Sequence, residues 1–176
     1  METYSEVIGL PVICVDNGKK VGSVTDVFFN PENRKVLAFL VDSASSGRSK
    51  YAILLKNVRS LGNDALIIDS KKVLMKVKPL KRSILTGNGK LTDMRVYSRK
   101  GDYFGLVKDI LFNYETGDIE AVKVSNGLIS DIIEGRDLIP LFGKVEFSEE
   151  IILINREAVE EISNTGGGLK NKFRNG

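Results

Sequence analysis

The chain has 176 residues, with 26 lysines and arginines against 23 aspartates and glutamates, one cysteine, and neither histidine nor tryptophan. Without histidine it lacks the side chain most often used for proton transfer near neutral pH and for binding zinc. A single cysteine excludes an internal disulfide and a paired-cysteine redox site, so the composition gives no support to an oxidising compartment.

Short apolar and β-branched stretches, separated by turn-forming residues, run through the first half of the chain. Six short strands with tight turns and no long helical stripe predict an all-β fold, a small barrel or curled sheet. The predicted strands cover residues 10–15, 21–30, 35–42 and 51–55, and two shorter ones flank the turn at 62–64.

The second half of the chain repeats the first. Residues 18–41 align with residues 101–124 without a gap, and nine of the 24 positions are identical. Average residue usage would give only about one or two identities by chance. The sequence therefore predicts two tandem barrels of about six strands each. The repeated polar and glycine positions include Gly18/Gly101, Gly22/Gly105, Asp26/Asp109 and Asn30/Asn113.

This layout resembles the PRC-barrel domain. The resemblance is carried by Leu10-Pro11-Val12, by residues 16–27 and 36–42, and by the same arrangement from Met94 to Val124. Other proteins with this domain are the photosynthetic reaction-centre H subunit, in its cytoplasmic part, and the bacterial ribosome maturation factor, in its C-terminal half. The resemblance implies a scaffold that docks partners and has no catalytic activity.

We predict a first barrel with a basic connector over residues 1–82, a second barrel over 83–162 and a disordered tail over 163–176. A short helix is expected at 157–162. The N-terminal residues lack the pattern of a secretory signal, and the longest apolar run, 36–41, is far below the roughly 20 residues of a membrane helix. We therefore expect a cytoplasmic protein without an integral membrane segment.

The repeated residues favour structural roles. The glycines suit positive φ angles or close backbone approach near a hairpin turn. Asp26 and Asp109 could act as paired carboxylates only across two barrels, so hydrogen bonding to a neighbouring turn is the favoured interpretation. Cys14 lies in an apolar strand and is expected to be a buried thiol. A catalytic role is disfavoured because the chain has no histidine to activate the thiol. No metal-ligand spacing or phosphate-binding glycine loop is visible, so we predict no catalytic residue, metal or cofactor.

The small net charge of +3 conceals an uneven distribution of charge along the chain. The net charge is 0 over residues 1–70, +6 over 71–83, −6 over 84–162 and +3 over 163–176. The connector is either a phosphate-facing strip for RNA or an anionic membrane, or a closing strand or short helix that complements the acidic second barrel. No aromatic residue interleaves with it, which weakens the RNA interpretation. Its basic residues are Lys71, Lys72, Lys76, Lys78, Lys81 and Arg82.

The two repeats differ most in one loop, which is polar at residues 43–49 and apolar at residues 126–136. Three isoleucines of the apolar loop have the spacing of one helix face. The loop either packs over a barrel end or between the barrels, or docks a partner, because exposed apolar residues mark interaction sites. The candidate partner-binding residues are Leu128, Ile129, Ile132, Ile133 and Arg136.

The leading functional prediction is a non-catalytic cytoplasmic adaptor that binds a protein partner, and a homodimer remains open. The alternative is an RNA- or ribosome-associated factor that uses the basic connector and the tail. An enzyme is the third choice, because the sequence offers no pair of nucleophile and base.

Overall fold

The structure is a computed structural model that describes residues 1–30, 33–43, 50–77, 91–125, 138–141, 143, 145–148 and 150–155. Across these residues the chain is mostly strand, which confirms the all-β class. The helical segments in this part are helix α1 (Tyr4–Val7) and two 3-10 turns, Leu55–Asn57 and Lys71–Val73. The predicted helix at 157–162 and the tail at 163–176 lie outside the described residues.

The chain divides into two compact units. Residues 2–87 together with the turn 113–118 form one, referred to below as the first barrel. Met1 with residues 88–112 and 119–176 forms the other, the second barrel. The predicted boundaries at 82 and 162 fall on residues outside the described part of the chain and stay predictions.

All six strands predicted in the first repeat are present. A short strand, β1 (Glu2–Thr3), precedes helix α1. The strands of the first barrel's sheet are β2 (Pro11–Cys14), β3 (Lys19–Asn30), β4 (Lys35–Ser43), β5 (Lys50–Leu54), β6 (Ser60–Leu61), β7 (Leu66–Ile68) and β8 (Met75–Lys76). The sheet runs in the order β6-β7-β2-β3-β4-β5-β8, and its neighbours are antiparallel except for the parallel pair β2 and β7.

The strands of the second barrel are β9 (Arg95–Ser98), β10 (Tyr103–Phe112), β11 (Ile119–Val124), β12 (Leu138–Pro140), β13 (Glu146–Phe147) and β14 (Ile151–Ile154). Their order, β12-β11-β10-β9-β14-β13, matches β5-β4-β3-β2-β7-β6 of the first barrel, and β9 pairs in parallel with β14 as β2 does with β7. Six strands of each barrel therefore correspond, which confirms the predicted tandem arrangement.

Alternating burial along the short strands builds the core of each barrel. In β2, for example, Val12 and Cys14 are fully buried while Pro11 and Ile13 are half-buried. In β4 the four residues 38–41 are all buried, because Ala38 and Leu40 join a second apolar cluster with Phe28 and Ala52. Successive side chains in a strand point to opposite faces, so both faces of β4 are covered.

The long strands β3 and β10 carry bulges at matching positions. Against β4 the register of β3 shifts between Val24 and Asp26 and again between Phe28 and Phe29. The register of β10 against β11 shifts at the corresponding residues, 107–109 and 111–112. A bulge bends a strand and increases its twist. This bending allows one long strand to pair with a neighbour on each side of a small barrel.

The repeated glycines have the two roles expected from the sequence. Gly18 and Gly101 have φ angles of 64° and 92° and open space around them. Gly22 packs so closely on β4 that a side chain there would collide with the backbone carbonyl oxygen of Asp42. At Gly105 an added Cβ would lie 2.5 Å from the carbonyl oxygen of Ser125. Glycine is therefore required at positions 22 and 105 because the neighbouring strand leaves no room for a side chain.

Substitution at the two glycines of the first barrel separates these roles. Gly22→Ala is expected to lower the free energy of unfolding by about 3 kcal/mol, because the new Cβ has to displace backbone in a hydrogen-bonded ladder. Gly18→Ala, the matched control, is expected to cost about 1 kcal/mol from its positive φ alone. Urea unfolding followed by circular dichroism measures both. Equal losses from the two variants would contradict the close-approach role of Gly22.

Candidate functional site

The repeated aspartates lie beside the bulges of the long strands. Asp26 accepts hydrogen bonds at Oδ1 from the backbone N–H of Val27, at 2.9 Å, and from the hydroxyl of Tyr4, at 3.1 Å. Asp109 accepts at Oδ1 from the N–H of Ile110 at 2.8 Å. The sequence favoured hydrogen bonding to a neighbouring turn for the repeated aspartates and asparagines; Asn113 accepts from its turn, whereas both aspartates accept from the next residue of their own strand. The reason is the extra residue of the bulge, which takes backbone groups out of the ladder and leaves them needing other partners.

A second pair of side chains repeats without sequence identity. The backbone N–H of Ser23 donates to Oδ1 of Asp42 at 2.9 Å. At the matching place in the second barrel, the N–H of Leu106 donates to the hydroxyl oxygen of Ser125 at 3.1 Å. Aspartate and serine thus support the strand beside the close-packed glycine in the same way. The sequence comparison missed this pair because the two residue types differ.

The turn 113–118 is held by its own side chains. Oδ1 of Asn113 accepts from the N–H groups of Glu115 and Thr116 at 2.9 and 3.2 Å. Asp118 forms an ion pair with Nζ of Lys35 at 3.0 Å, and both side chains are about half exposed. A hydrogen bond from the Thr116 side chain, followed by one from Lys35, lowers the pKa of the Asp118 carboxyl below its ordinary value. These contacts order the turn.

The thiol and the buried hydroxyl also have structural partners. Cys14 is fully buried, as expected, and its Sγ donates to the carbonyl oxygen of Asp69 at 3.6 Å. The Ser98 hydroxyl donates to Oδ2 of Asp102 at 2.8 Å and accepts the N–H of Lys100 and Asp102. Within the described residues no group of three metal-ligating side chains occurs, and no buried side-chain nitrogen or oxygen lacks a hydrogen-bond partner.

Two comparisons with known proteins agree with this architecture. The family model of the PRC-barrel domain matches twice, over residues 1–75 and 88–159. The chain belongs to the PRC-barrel family. It is also similar to the uncharacterized protein YrrD of Bacillus subtilis, with 26% identity over 135 residues that cover 75% of this chain and 74% of that protein. In the described part of this PRC-barrel protein, no helix is long and apolar enough to cross a membrane.

The basic connector begins as part of the first PRC barrel. Lys71 and Lys72 lie on the 3-10 turn, where the side chain of Ser70 accepts the N–H of Lys72, and Lys76 lies in β8. All three lysine side chains are exposed. The sequence allowed the connector to be either a closing strand or a short helix. Residues 71–77 contain both, a turn of 3-10 helix followed by an edge strand. Lys78, Lys81 and Arg82 lie outside the described residues.

An aromatic residue lies beside the connector, although none was visible within it. Tyr51 of β5 pairs directly with Lys76 of β8, and the N–H of Val77 donates to the carbonyl oxygen of Lys50 at 3.0 Å. Tyr51 and Lys76 therefore occupy the pair of positions without mutual hydrogen bonds, where opposing side chains are closest. Tyr51 is half-buried. Only strand pairing reveals this neighbour, since Tyr51 precedes the connector in the chain.

The other candidate site falls in the part of the chain that the structure leaves undescribed. Leu128, Ile129, Ile132, Ile133 and Arg136 all lie between residues 126 and 137, so their role as a partner-binding surface stays a prediction. The strands at either end of this segment, β11 and β12, are antiparallel neighbours, with Lys123 opposite Leu138. The two strand ends that flank the segment therefore lie at the same end of the second barrel.

The structural role of the repeated aspartate can be tested at Asp26. Asp26→Ala removes the acceptor of both the Val27 N–H and the Tyr4 hydroxyl and is expected to lower the free energy of unfolding by about 2 kcal/mol. Asp26→Asn retains an oxygen acceptor and should cost less than about 1 kcal/mol. Chemical denaturation of both variants gives the comparison. An Asp26→Ala variant as stable as the parent protein would show that the carboxylate does not support the bulge.

Proposed function

We propose that this PRC-barrel protein is a non-catalytic adaptor that binds a protein partner. The observation that supports the proposal is the use of the polar side chains shared by the two barrels. Asp26, Asp109 and Asn113 accept hydrogen bonds from backbone N–H groups. A scaffold whose recurrent polar groups serve its own backbone is suited to presenting surfaces, because catalysis needs such groups aimed at a substrate.

The proposed contact surface is the apolar loop 126–136. It is the segment in which the two repeats differ most, since the first repeat has the polar sequence 43–49 at the corresponding place. Divergence at one loop of a duplicated scaffold is the usual way for such a fold to gain a binding site. We place the adaptor in the cytoplasm, where a lone reduced Cys14 is in keeping with the redox conditions. A second copy of the chain is one of the partners that the proposal allows.

Affinity purification from a native lysate, with and without nuclease, tests the adaptor. We expect the parent protein to retain one protein partner at high salt and after nuclease treatment. Ile132→Asp is expected to reduce that capture about tenfold or more, because a carboxylate in an apolar contact is left desolvated and unpaired. Ile132→Leu, the matched control, keeps the apolar character and should retain the partner.

The thermal midpoint of each variant separates loss of binding from loss of folding. If Ile132→Asp has the same thermal midpoint as the parent protein and still captures the same partner, the loop is not the docking surface. If the parent protein retains no partner under either condition, the adaptor proposal fails.

A second candidate function, association with RNA or the ribosome, is favoured by the position of Tyr51. Exposed lysines at 71, 72 and 76 offer phosphate contacts, and the aromatic ring that the connector lacks lies opposite Lys76. Aromatic rings beside basic residues are the common arrangement for binding unpaired bases. The nuclease arm of the purification distinguishes this candidate, because RNA-mediated capture is lost when the RNA is digested.

A further inference from the structure

The strand directions of the first barrel bring six lysines to one of its ends. Strands β2 and β7 are parallel, and β3, β4, β5 and β8 follow from β2 as successive antiparallel neighbours. The starts of β3 and β5 therefore lie at the same end as the finishes of β7 and β8. This surface, called the lysine end below, carries Lys19, Lys20, Lys50, Lys71, Lys72 and Lys76, all of them exposed.

Hydrogen bonds between distant segments confirm that these strand ends meet. The N–H groups of Val15 and Asp16 donate to the carbonyl oxygens of Ile68 and Asp69 at 2.9 and 3.1 Å. They join the turn that leads into Lys19 to the segment that leads into Lys71. At the other side, Val77 donates to Lys50, as described above. The lysines therefore lie on strand ends and turns at one end of the sheet, although they come from four separate stretches of sequence.

Among the described residues, the lysines of this end outnumber its carboxylates, which are those of Asp16, Asp42 and Asp69. Asp69 is paired with Arg59 at 2.9 Å, and Asp42 accepts the N–H of Ser23. None of the six lysines forms an ion pair with a carboxylate in the described part of the chain. The lysine end therefore carries an excess of positive charge in the described residues.

The described residues of the second barrel allow a comparison at the end that matches the lysine end. There Arg99 pairs with Glu146 at 2.7 Å, and Lys100 and Asp102 lie close together in one turn. The positions that match Lys19 and Lys20 in the gapless alignment are Asp102 and Tyr103. The fold therefore does not require lysine at these two positions of the first barrel.

We infer that the lysine end of the first barrel binds single-stranded RNA, with lysines contacting the phosphates and Tyr51 stacking on a base. Single-stranded RNA is the anion that best fits a half-buried aromatic ring placed directly opposite Lys76, because unpaired bases stack on such rings. The inference rests on the RNA candidate above. It extends the binding surface from the connector to Lys19, Lys20 and Lys50, which lie outside it.

The test is the affinity of the full chain for a fluorescein-labelled oligouridine of about 20 nucleotides, measured by anisotropy across a salt series. Lys19→Glu/Lys20→Glu is expected to weaken binding at least tenfold. It should also lower the magnitude of the slope of log affinity against log salt by about 1.4, since each phosphate contact to a single strand contributes about 0.7. Lys100→Glu/Lys123→Glu changes two exposed lysines of the second barrel, alters the net charge equally, and should change neither quantity appreciably.

Substitutions at Tyr51 test the stacking contact. Tyr51→Phe retains the ring and should bind within about twofold of the parent protein. Tyr51→Leu should lose about tenfold in affinity while the salt slope stays the same, because stacking releases no counterions. Circular dichroism melts check that both variants remain folded. Equal affinity of the leucine and phenylalanine variants would remove Tyr51 from the site.

The outcomes distinguish failure of the lysine end from failure of the connector as an RNA site and of the adaptor proposal. If Lys71→Glu/Lys72→Glu weakens binding and Lys19→Glu/Lys20→Glu does not, the lysine end is wrong while the connector candidate stands. If the parent protein does not bind the RNA, both fall, and the adaptor, tested at Ile132, is unaffected. Vesicles containing phosphatidylserine form the second arm. Binding to these vesicles without binding to RNA would overturn the inference in favour of a lipid surface.

Discussion

The close contact between the long strand and its neighbour governs the rest of each barrel. At Gly22 the backbone of β3 lies against the carbonyl of Asp42 in β4, with no room for a side chain, and Gly105 repeats the contact in β10. Bulges follow within a few residues in both strands and bend them. Side-chain acceptors lie at two places along this stretch, an aspartate at the first bulge and Asp42 or Ser125 beside the glycine. The repeated positions Gly22/Gly105 and Asp26/Asp109 follow from this one constraint.

The strands were predictable because their signals are local. Apolar alternation and turn residues located four strands of the first repeat to within one or two residues and placed two more on either side of the turn at 62–64. Duplication extended the prediction to the second repeat. Helix α1 was missed because four residues carry no periodicity. It depends on a capping box in which Thr3 and Glu6 bond each other's backbone N–H groups. The signal for it was therefore a pair of polar residues and not an apolar pattern.

The alignment missed a second repeated feature, a residue with positive φ before the first strand of each sheet repeat, because its offset differs by one residue. Before β2, Gly9 has a φ of 91° and donates to the carbonyl oxygen of Val24 at 2.8 Å. Before β9, Asp93 has a φ of 75° and donates to the carbonyl oxygen of Val107 at 2.8 Å. Aspartate is among the few residues other than glycine that tolerate this conformation. Two residue types thus fasten the start of each barrel to its long strand in the same way.

The candidate binding surface was only partly predictable for a topological reason. Lys71, Lys72 and Lys76 stand out in the sequence because they are close together, whereas Lys19, Lys20 and Lys50 are scattered over a region whose net charge is 0. Strand direction gathers all six lysines, and strand pairing adds Tyr51. Residues 1–70 therefore have a net charge of zero and still contribute to a cationic end of the first barrel. Counting charges along the chain does not detect this property.

The central claim is that the two barrels share one skeleton and that the lysine end of the first barrel binds single-stranded RNA. Backbone amide chemical shifts of the full chain, recorded with and without an oligouridine of about 20 nucleotides, test it most directly. The account predicts shifts confined to residues 18–24, 50–52 and 69–77, while residues 101–107 of the second barrel, which match residues 18–24, stay unchanged. Shifts of equal size in the two barrels, or shifts confined to the second, would contradict it.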